Sequence, residues 1–229
     1  MAGYFVKANS EYVLQVSNVA NLRIENGTMT FWVKLSSALA GSAVYIMNYA
    51  NDGLGFLIAG NSGAGHADET LTWKGDGGNL RMLYKNGEDY LFDDAIHHIV
   101  IICDGNDNRY LIDGAAVAET FDAGDSGTND GLIDNAINNF LIGSDNAGNG
   151  FTGSIWDYRI YNRGITDAEA KIIYEERGKD NITNGLVIRL PMFEGPTGST
   201  MTVNTDVGPN GYNGSPQNTP TYTDQPFKM

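Results

Sequence analysis

Four carboxylates stand close together in the stretch NGEDYLFDDAIHH: Glu88, Asp89, Asp93 and Asp94, with His97 and His98 directly behind them. A pair of carboxyl groups can cleave a glycosidic bond when one donates a proton and the other attacks or activates water. Two acids spaced by two residues on a strand would share one face and could direct that chemistry into a cleft. Here the acids surround a turn, so they do not share a strand face. The chain has no Gly-x-Ser-x-Gly elbow for a nucleophilic serine. Its single cysteine, Cys103, lies inside the apolar run HHIVIICD, where a thiol behaves as a small buried hydrophobe. The run DGNDN at 104–108 has the acids of a calcium loop without the terminal glutamate, and it reads as a hairpin turn. These residues predict no catalytic centre.

The charge balance narrows the partners. Lys and Arg total 14 against 28 Asp and Glu, a net charge of −14. Nucleic-acid binding requires a basic surface that releases counterions, so this chain is expected to bind none. An anionic membrane would repel it as well, and no apolar run approaches membrane length. An acidic surface favours solubility, cations and neutral ligands. The first residues, MAGYFVKANSEYVLQ, lack the basic region and apolar run of a signal peptide.

The positioning elements are strands. With 229 residues, 41% of them hydrophobic, the chain can bury one large core, and Gly 29 with Pro 6 indicates many tight turns. Short β-type runs recur at regular spacing: YFVKA, YVLQV, MTFWVKL, AVYIMNYA, GFLIAG, TLTWKG, LRMLYKN, DYLF at 89–92, HHIVIICD at 97–104, RYLIDG, AVAETF, NFLIG, SIWDYRIYN at 154–162 and GLVIRLPMF. Such spacing predicts a sandwich or barrel. Asn86-Gly87 and Asp113-Gly114 suit two-residue hairpin turns. Alternation in WDYRIY places Trp156, Tyr158 and Ile160 on one face.

One helix interrupts this pattern, within GITDAEAKIIYEERG. Thr166 reads as an N-cap with Glu169 closing a capping box, and Ile165 can staple onto Ala170. Gly178 reads as the C-cap, and Ala168, Ile172 and Ile173 as a narrow apolar stripe. About three turns are marginal alone, so the helix must dock on the strands. Residues 194–229 are polar and rich in Gly, Asn, Thr and Pro, and read as an extended arm following a sandwich of residues 1–193.

Three pieces, MTFWVKL, HHIVIICDGNDNRYLIDGAAV and FLIGSDNAGNGFTGSIWDYRIYNRGITDAEAKIIYE, together resemble the laminin-G-like, concanavalin A-like jelly-roll family in its pentraxin-related branch. The piece GLVIRLPMFEG…VGPNGYNG resembles the leader that precedes such domains, here in permuted order. The resemblance implies an all-β, two-sheet antiparallel jelly-roll sandwich with one short helix in its C-terminal half. It further implies calcium at Asp52, Asp145 and Asn146, although Gly53 stands where the family has an asparagine. A lectin surface would use Trp73, Tyr84 and Tyr90 as aromatic contacts and Asn149 as a hydrogen-bonding partner, while Trp32 and Trp156 read as core.

The resulting expectation is a non-catalytic surface module that binds a glycan or cell-surface polysaccharide. Similar modules occur in phage structural proteins. That likeness implies a capsid decoration or tail-associated adhesin on a virion or extracellular surface, held by other virion proteins or by its own copies as a homo-oligomer. A glucanase or lyase on the same fold, and a cement protein without a glycan site, are the alternatives.

Overall fold

The computed structural model describes residues 2–5, 14–16, 22–39, 44–48, 56–59, 69–74, 81–85, 90–105, 107–121, 131–137, 140–144, 150, 152–192, 197–202, 205–216 and 220–223. The first nine strands are β1 (Ala2–Phe5), β2 (Leu14–Val16), β3 (Leu22–Ile24), β4 (Gly27–Leu35), β5 (Val44–Asn48), β6 (Phe56–Ala59), β7 (Glu69–Lys74), β8 (Arg81–Lys85) and β9 (His97–Asp104). There follow β10 (Asp107–Ile112), β11 (Ala115–Val117), β12 (Glu119–Phe121), β13 (Ile133–Ile137), β14 (Leu141–Ile142) and β15 (Gly153–Tyr161). The helix α1 (Asp167–Glu176) precedes β16 (Leu186–Leu190), β17 (Gly214–Ser215) and β18 (Thr221–Thr223).

Two antiparallel sheets form the sandwich. The first runs β11-β10-β9-β4-β15-β1-β18, with β16 also paired to β15, and the second runs β12-β8-β7-β6-β5-β14-β2-β17. A small ribbon joins β13 and β3. The fold is thus the all-β, two-sheet antiparallel sandwich that the family resemblance implied, one of the two architectures the strand spacing allowed. HHIVIICD is a strand over its whole predicted length. The β10–β11 turn places Asp113 at φ 52° and Gly114 at φ 76°, the left-handed pair that Asp-Gly accepts. DYLF is not a strand: Tyr90 and Leu91 form a turn, with Leu91 and Phe92 buried beneath it. Within 194–229, β17 pairs with β2 and β18 with β1, so this tract lies along one edge of each sheet.

Aromatic residues fill the space between the sheets. Tyr158 stacks on Phe31 at 5.8 Å and meets Phe140 edge-on at 5.9 Å. The Trp73 backbone N–H donates to the Tyr110 hydroxyl across the sandwich at 2.8 Å.

A sheet wetted on one side alternates buried and exposed residues. Strand β15 does not: all nine of its residues are buried. Its outer face is covered as well as its inner one, and the strand also carries a bulge. Asp157 has φ 46°, and the register against β4 slips between Trp156 and Arg159. The slip reverses the side-chain phase. Tyr158 and Ile160 point into the sandwich, while Trp156 stacks on Trp32 at 6.2 Å on the outer face. Trp156 therefore does not share a face with Tyr158 and Ile160, as plain alternation predicted.

The outer face is covered by α1 and the segment behind it. The Thr166 side chain accepts from the Glu169 N–H at 3.2 Å and Glu169 accepts from the Thr166 N–H at 2.8 Å, completing the capping box. Glu169 also takes two hydrogen bonds from Arg163, at 2.6 and 2.8 Å. Ile165, Ala170 and Ile173 pack with Val100, Ile102, Leu111 and Tyr161. The buried stripe differs from the predicted one, since Ala168 is exposed and Ile172 is 42% exposed. The Ile165–Ala170 staple rotates the helix so that 170, 173 and 174 face the sheet. The helix ends at Glu176, with Arg177 as a left-handed cap ahead of Gly178.

Four buried or half-buried charges tie this cover down. Arg159 donates to both carboxylate oxygens of Asp180 at 2.8 Å and also to Asp157. Arg189 Nε donates to Asp157 at 2.9 Å, and its Nη2 donates to the Gly178 carbonyl at 2.7 Å. Breaking such a pair strands a charge out of water. We predict that Arg159→Met loses about 3–5 kcal/mol of unfolding free energy in denaturant titration. A loss below about 1 kcal/mol, the range of exposed pairs, would contradict the network's role.

Candidate functional site

Two groups of side chains meet near the start of β9. The first is a corner at one end of the sandwich. His97 Nδ1 lies 2.9 Å from Asp113 Oδ2, and its Nε2 lies 3.3 Å from Asp93 Oδ1. The hydrogen bond to Asp113 is the main force raising the His97 pKa, against burial. Tyr90 covers this ring at 5.7 Å and meets Tyr84 edge-on at 6.2 Å. Burial is the first cause raising the Tyr90 phenol, and the neighbouring Tyr84, Asp113 and Asp93 add to it. Asp94 turns away to bond Ser37.

The second group forms a cleft of 420 Å³ on the outer face of the first sheet, lined by Trp32, Ile96, Tyr174, Glu175 and Arg177. Strand β4 supplies Trp32, the approach to β9 supplies Ile96, and the end of α1 supplies the rest. Tyr174 stacks on Trp32 at 5.5 Å, so three rings, Tyr174, Trp32 and Trp156, form a continuous packed set. Gly114 makes room for it: a Cβ there would lie 2.8 Å from the Tyr174 ring. The cleft joins an aromatic wall to one carboxylate and one guanidinium, the mixture of apolar surface and few polar groups that holds small ligands.

His98 lies beneath this wall, 4.7 Å from the Trp32 ring and 6.0 Å from Tyr174. Burial, aided by the Arg159 charge, pushes its pKa down to about 3. The neutral ring faces Thr30 Oγ1 through Nε2 at 2.6 Å, and Nδ1 has no hydrogen-bond partner among the described residues. The single proton therefore belongs on Nε2, because a proton on Nδ1 would be a buried donor without an acceptor.

The expected sugar contacts divide. Trp73 is fully buried among the core residues between the sheets and offers a ligand no surface. Tyr84, 8% exposed, is also part of that core. Tyr90 is 38% exposed and lies at the corner. Asn149 and the expected calcium ligands Asp52, Asp145 and Asn146 lie outside the described residues, as do Glu88 and Asp89. Among the described residues no group of three His, Cys, Asp or Glu is placed to hold a metal. Sequence reasoning did not find the cleft. Trp32 read as core and α1 only as a helix docked on the strands, and the one available signal was Tyr174 following Ala170 and Ile173 at helical spacing.

The family model described as the Concanavalin A-like lectin/glucanases superfamily matches residues 8–171, and the chain belongs to this family. A search of curated proteins gave no match. Among solved structures, a candidate carbohydrate-binding protein from Bacteroides ovatus is 18% identical with a TM-score of 0.68. The alignment covers 97% of this chain and 61% of that one, so the chain spans about three fifths of that protein's length. A pentraxin from Limulus polyphemus is 13% identical over 90% of this chain and 94% of that one, with a TM-score of 0.49. Domain 4 of the arabinanase AbnA from Geobacillus stearothermophilus, solved with arabinotriose, is 16% identical over 67% and 68%, with a TM-score of 0.48. At 18% identity and a TM-score of 0.68, the likeness to the Bacteroides ovatus protein shows the fold alone.

The two histidines act on stability with opposite signs. His98 falls from 6.5 to about 3 on folding, so the unfolded chain binds a proton that the folded chain refuses. Its contribution is flat above pH 6.5 and turns unfavourable as the pH falls toward 3. His97 is raised, so its contribution is complete below 6.5 and is lost as the pH rises through the folded value. Comparing urea unfolding at pH 7 and pH 5, the parent should lose ~2 kcal/mol more than His98→Gln does. Equal losses in both proteins would refute a buried neutral His98.

Proposed function

We propose that the chain is a non-catalytic carbohydrate-binding module that takes a neutral sugar in the cleft between α1, β4 and Ile96. The observation that carries this is the Tyr174 ring, packed on Trp32 and bordered by Glu175 and Arg177. Sugar rings present an apolar face to an aromatic side chain and hydroxyls to charged neighbours at its edge. Membership in a family of lectins and glucanases supports the ligand class. Binding is favoured over hydrolysis because, among the described residues, the cleft lining contains a single carboxylate, Glu175, where a glycosidase brings two to the scissile bond. The net charge of −14 favours neutral over anionic glycans. In this reading the module presents its ligand face on a virion or another extracellular surface, with its own copies or other virion proteins beside it.

The test is tryptophan fluorescence and calorimetry against soluble gluco-, xylo-, arabino-, galacto- and manno-oligosaccharides. A ligand should bind without release of reducing ends, and Tyr174→Ala should weaken it by about tenfold or more. Tyr90→Ala should leave that affinity unchanged. Binding lost in Tyr90→Ala but retained in Tyr174→Ala would move the site to the corner, and bond cleavage would replace the reading with the enzyme. Thermal melts with millimolar calcium test the cation expected at Asp52, Asp145 and Asn146. A rise in Tm that Asp145→Ala abolishes supports it, and no shift in the parent removes it.

A further inference from the structure

Both ring nitrogens of His97 face carboxylates, Asp113 at 2.9 Å and Asp93 at 3.3 Å. A neutral imidazole carries one proton and can satisfy only one of them; the imidazolium donates to both. The two acids belong to different elements, and each leads to the cleft. Asp93 Oδ1 also accepts the Ala95 N–H at 2.8 Å, which folds the short segment whose next residue, Ile96, lines the cleft. Asp113 bonds His98 twice, its N–H donating to the His98 carbonyl at 2.9 Å and its Oδ1 accepting the His98 N–H at 2.8 Å. The next residue, Gly114, abuts the Tyr174 ring.

We infer that the proton on His97 Nε2 is a latch: it holds the Asp93–Ile96 wall against the cleft, and its loss opens that wall and weakens the ligand bound there. This rests on the cleft being the sugar site. When the ring is neutral, its remaining proton stays on Nδ1 at the shorter contact with Asp113. Nε2 then turns a lone pair toward the Asp93 carboxylate, and attraction becomes repulsion. Among the described residues the groups facing the ring come from three places. Asp93 comes from its own loop, Asp113 from the β10–β11 turn, and Tyr90 lies over it with Tyr84 behind. The Tyr90 phenol, raised above its ordinary value of 10, stays protonated through neutral pH, and Asp94 is engaged by Ser37. The raised pKa of His97 puts the transition above 6.5. The direction follows: the closed wall, and with it the tighter binding, belongs to the lower pH.

Carbon-13 NMR of the full chain, first without ligand, tests the latch from pH 5.5 to 9. The Ile96 δ1 methyl should titrate with the same midpoint as the His97 Hε1 signal. In Asp93→Asn the His97 signal should still titrate while the Ile96 movement disappears. An Ile96 signal indifferent to the His97 midpoint, or one that titrates unchanged in Asp93→Asn, overturns the latch. The second arm uses the oligosaccharide bound most tightly in the panel above. Its affinity should fall by about fivefold or more across that midpoint in the parent and stay flat in His97→Gln. A pH-independent affinity in the parent overturns the gating. If no oligosaccharide binds while Ile96 follows His97, the latch stands and the sugar reading fails.

Discussion

The bulge at Asp157 and the ion pairs it makes possible are the constraint on which the rest of this molecule turns. A β15 strand in simple alternation would send Tyr158 to the outer face and Arg159 into the sandwich. The residue in a left-handed conformation shifts the phase, so the aromatic ring enters the core and the guanidinium lies on the outer face. There Arg159 finds Asp157 and Asp180, and Asp157 reaches Arg189. Two cations and two anions cancel, which is the condition for tolerating charge this far from water. Gly178 belongs to the same arrangement, since a Cβ there would come within 3.0 Å of Asp157 Oδ2.

This neutral cluster explains the helix. The ten residues of α1 cannot hold their shape alone, and their cap bonds contribute only about 1 kcal/mol each. The helix is held at its start by Arg163 and Glu169, along its length by Ala170 and Ile173, and beyond its end by Asp180 and the Gly178 carbonyl. Tyr174 is thereby fixed over Trp32 and becomes a rigid aromatic surface. A fixed ring loses little freedom on binding, which favours ligand affinity. The same cover buries His98 beside Arg159 and keeps its imidazole neutral. His97, one residue away on the opposite face of β9, meets two acids and is driven the other way.

The fold was legible where local chemistry and long-range packing agree. HHIVIICD, the Asp113-Gly114 turn and the Thr166–Glu169 box each carry their own instructions within a few residues. Legibility failed where geometry depends on distant partners. Nothing in WDYRIY announces that Asp157 adopts a positive φ, a conformation that glycine favours and that neighbouring Arg189 and Arg159 stabilise here. Trp73 reads as a loop-edge ring because Lys74, Gly75 and Asp76 follow it, yet β6 and β8 flank its strand and the ring fills the core. DYLF has strand composition and forms a turn with two residues tucked under it. The cleft was hidden because its parts lie on a strand, a loop and a helix that only the folded chain unites.

The outer-face cluster makes α1 one cooperative unit with the sandwich, and native-state hydrogen exchange measures that cooperativity. Amides in the last two turns of α1 should exchange only through global unfolding, with the same opening free energy as those of β4 and β15. Exchange of α1 through a separate local opening several kcal/mol lower, while β4 and β15 stay protected, would contradict it.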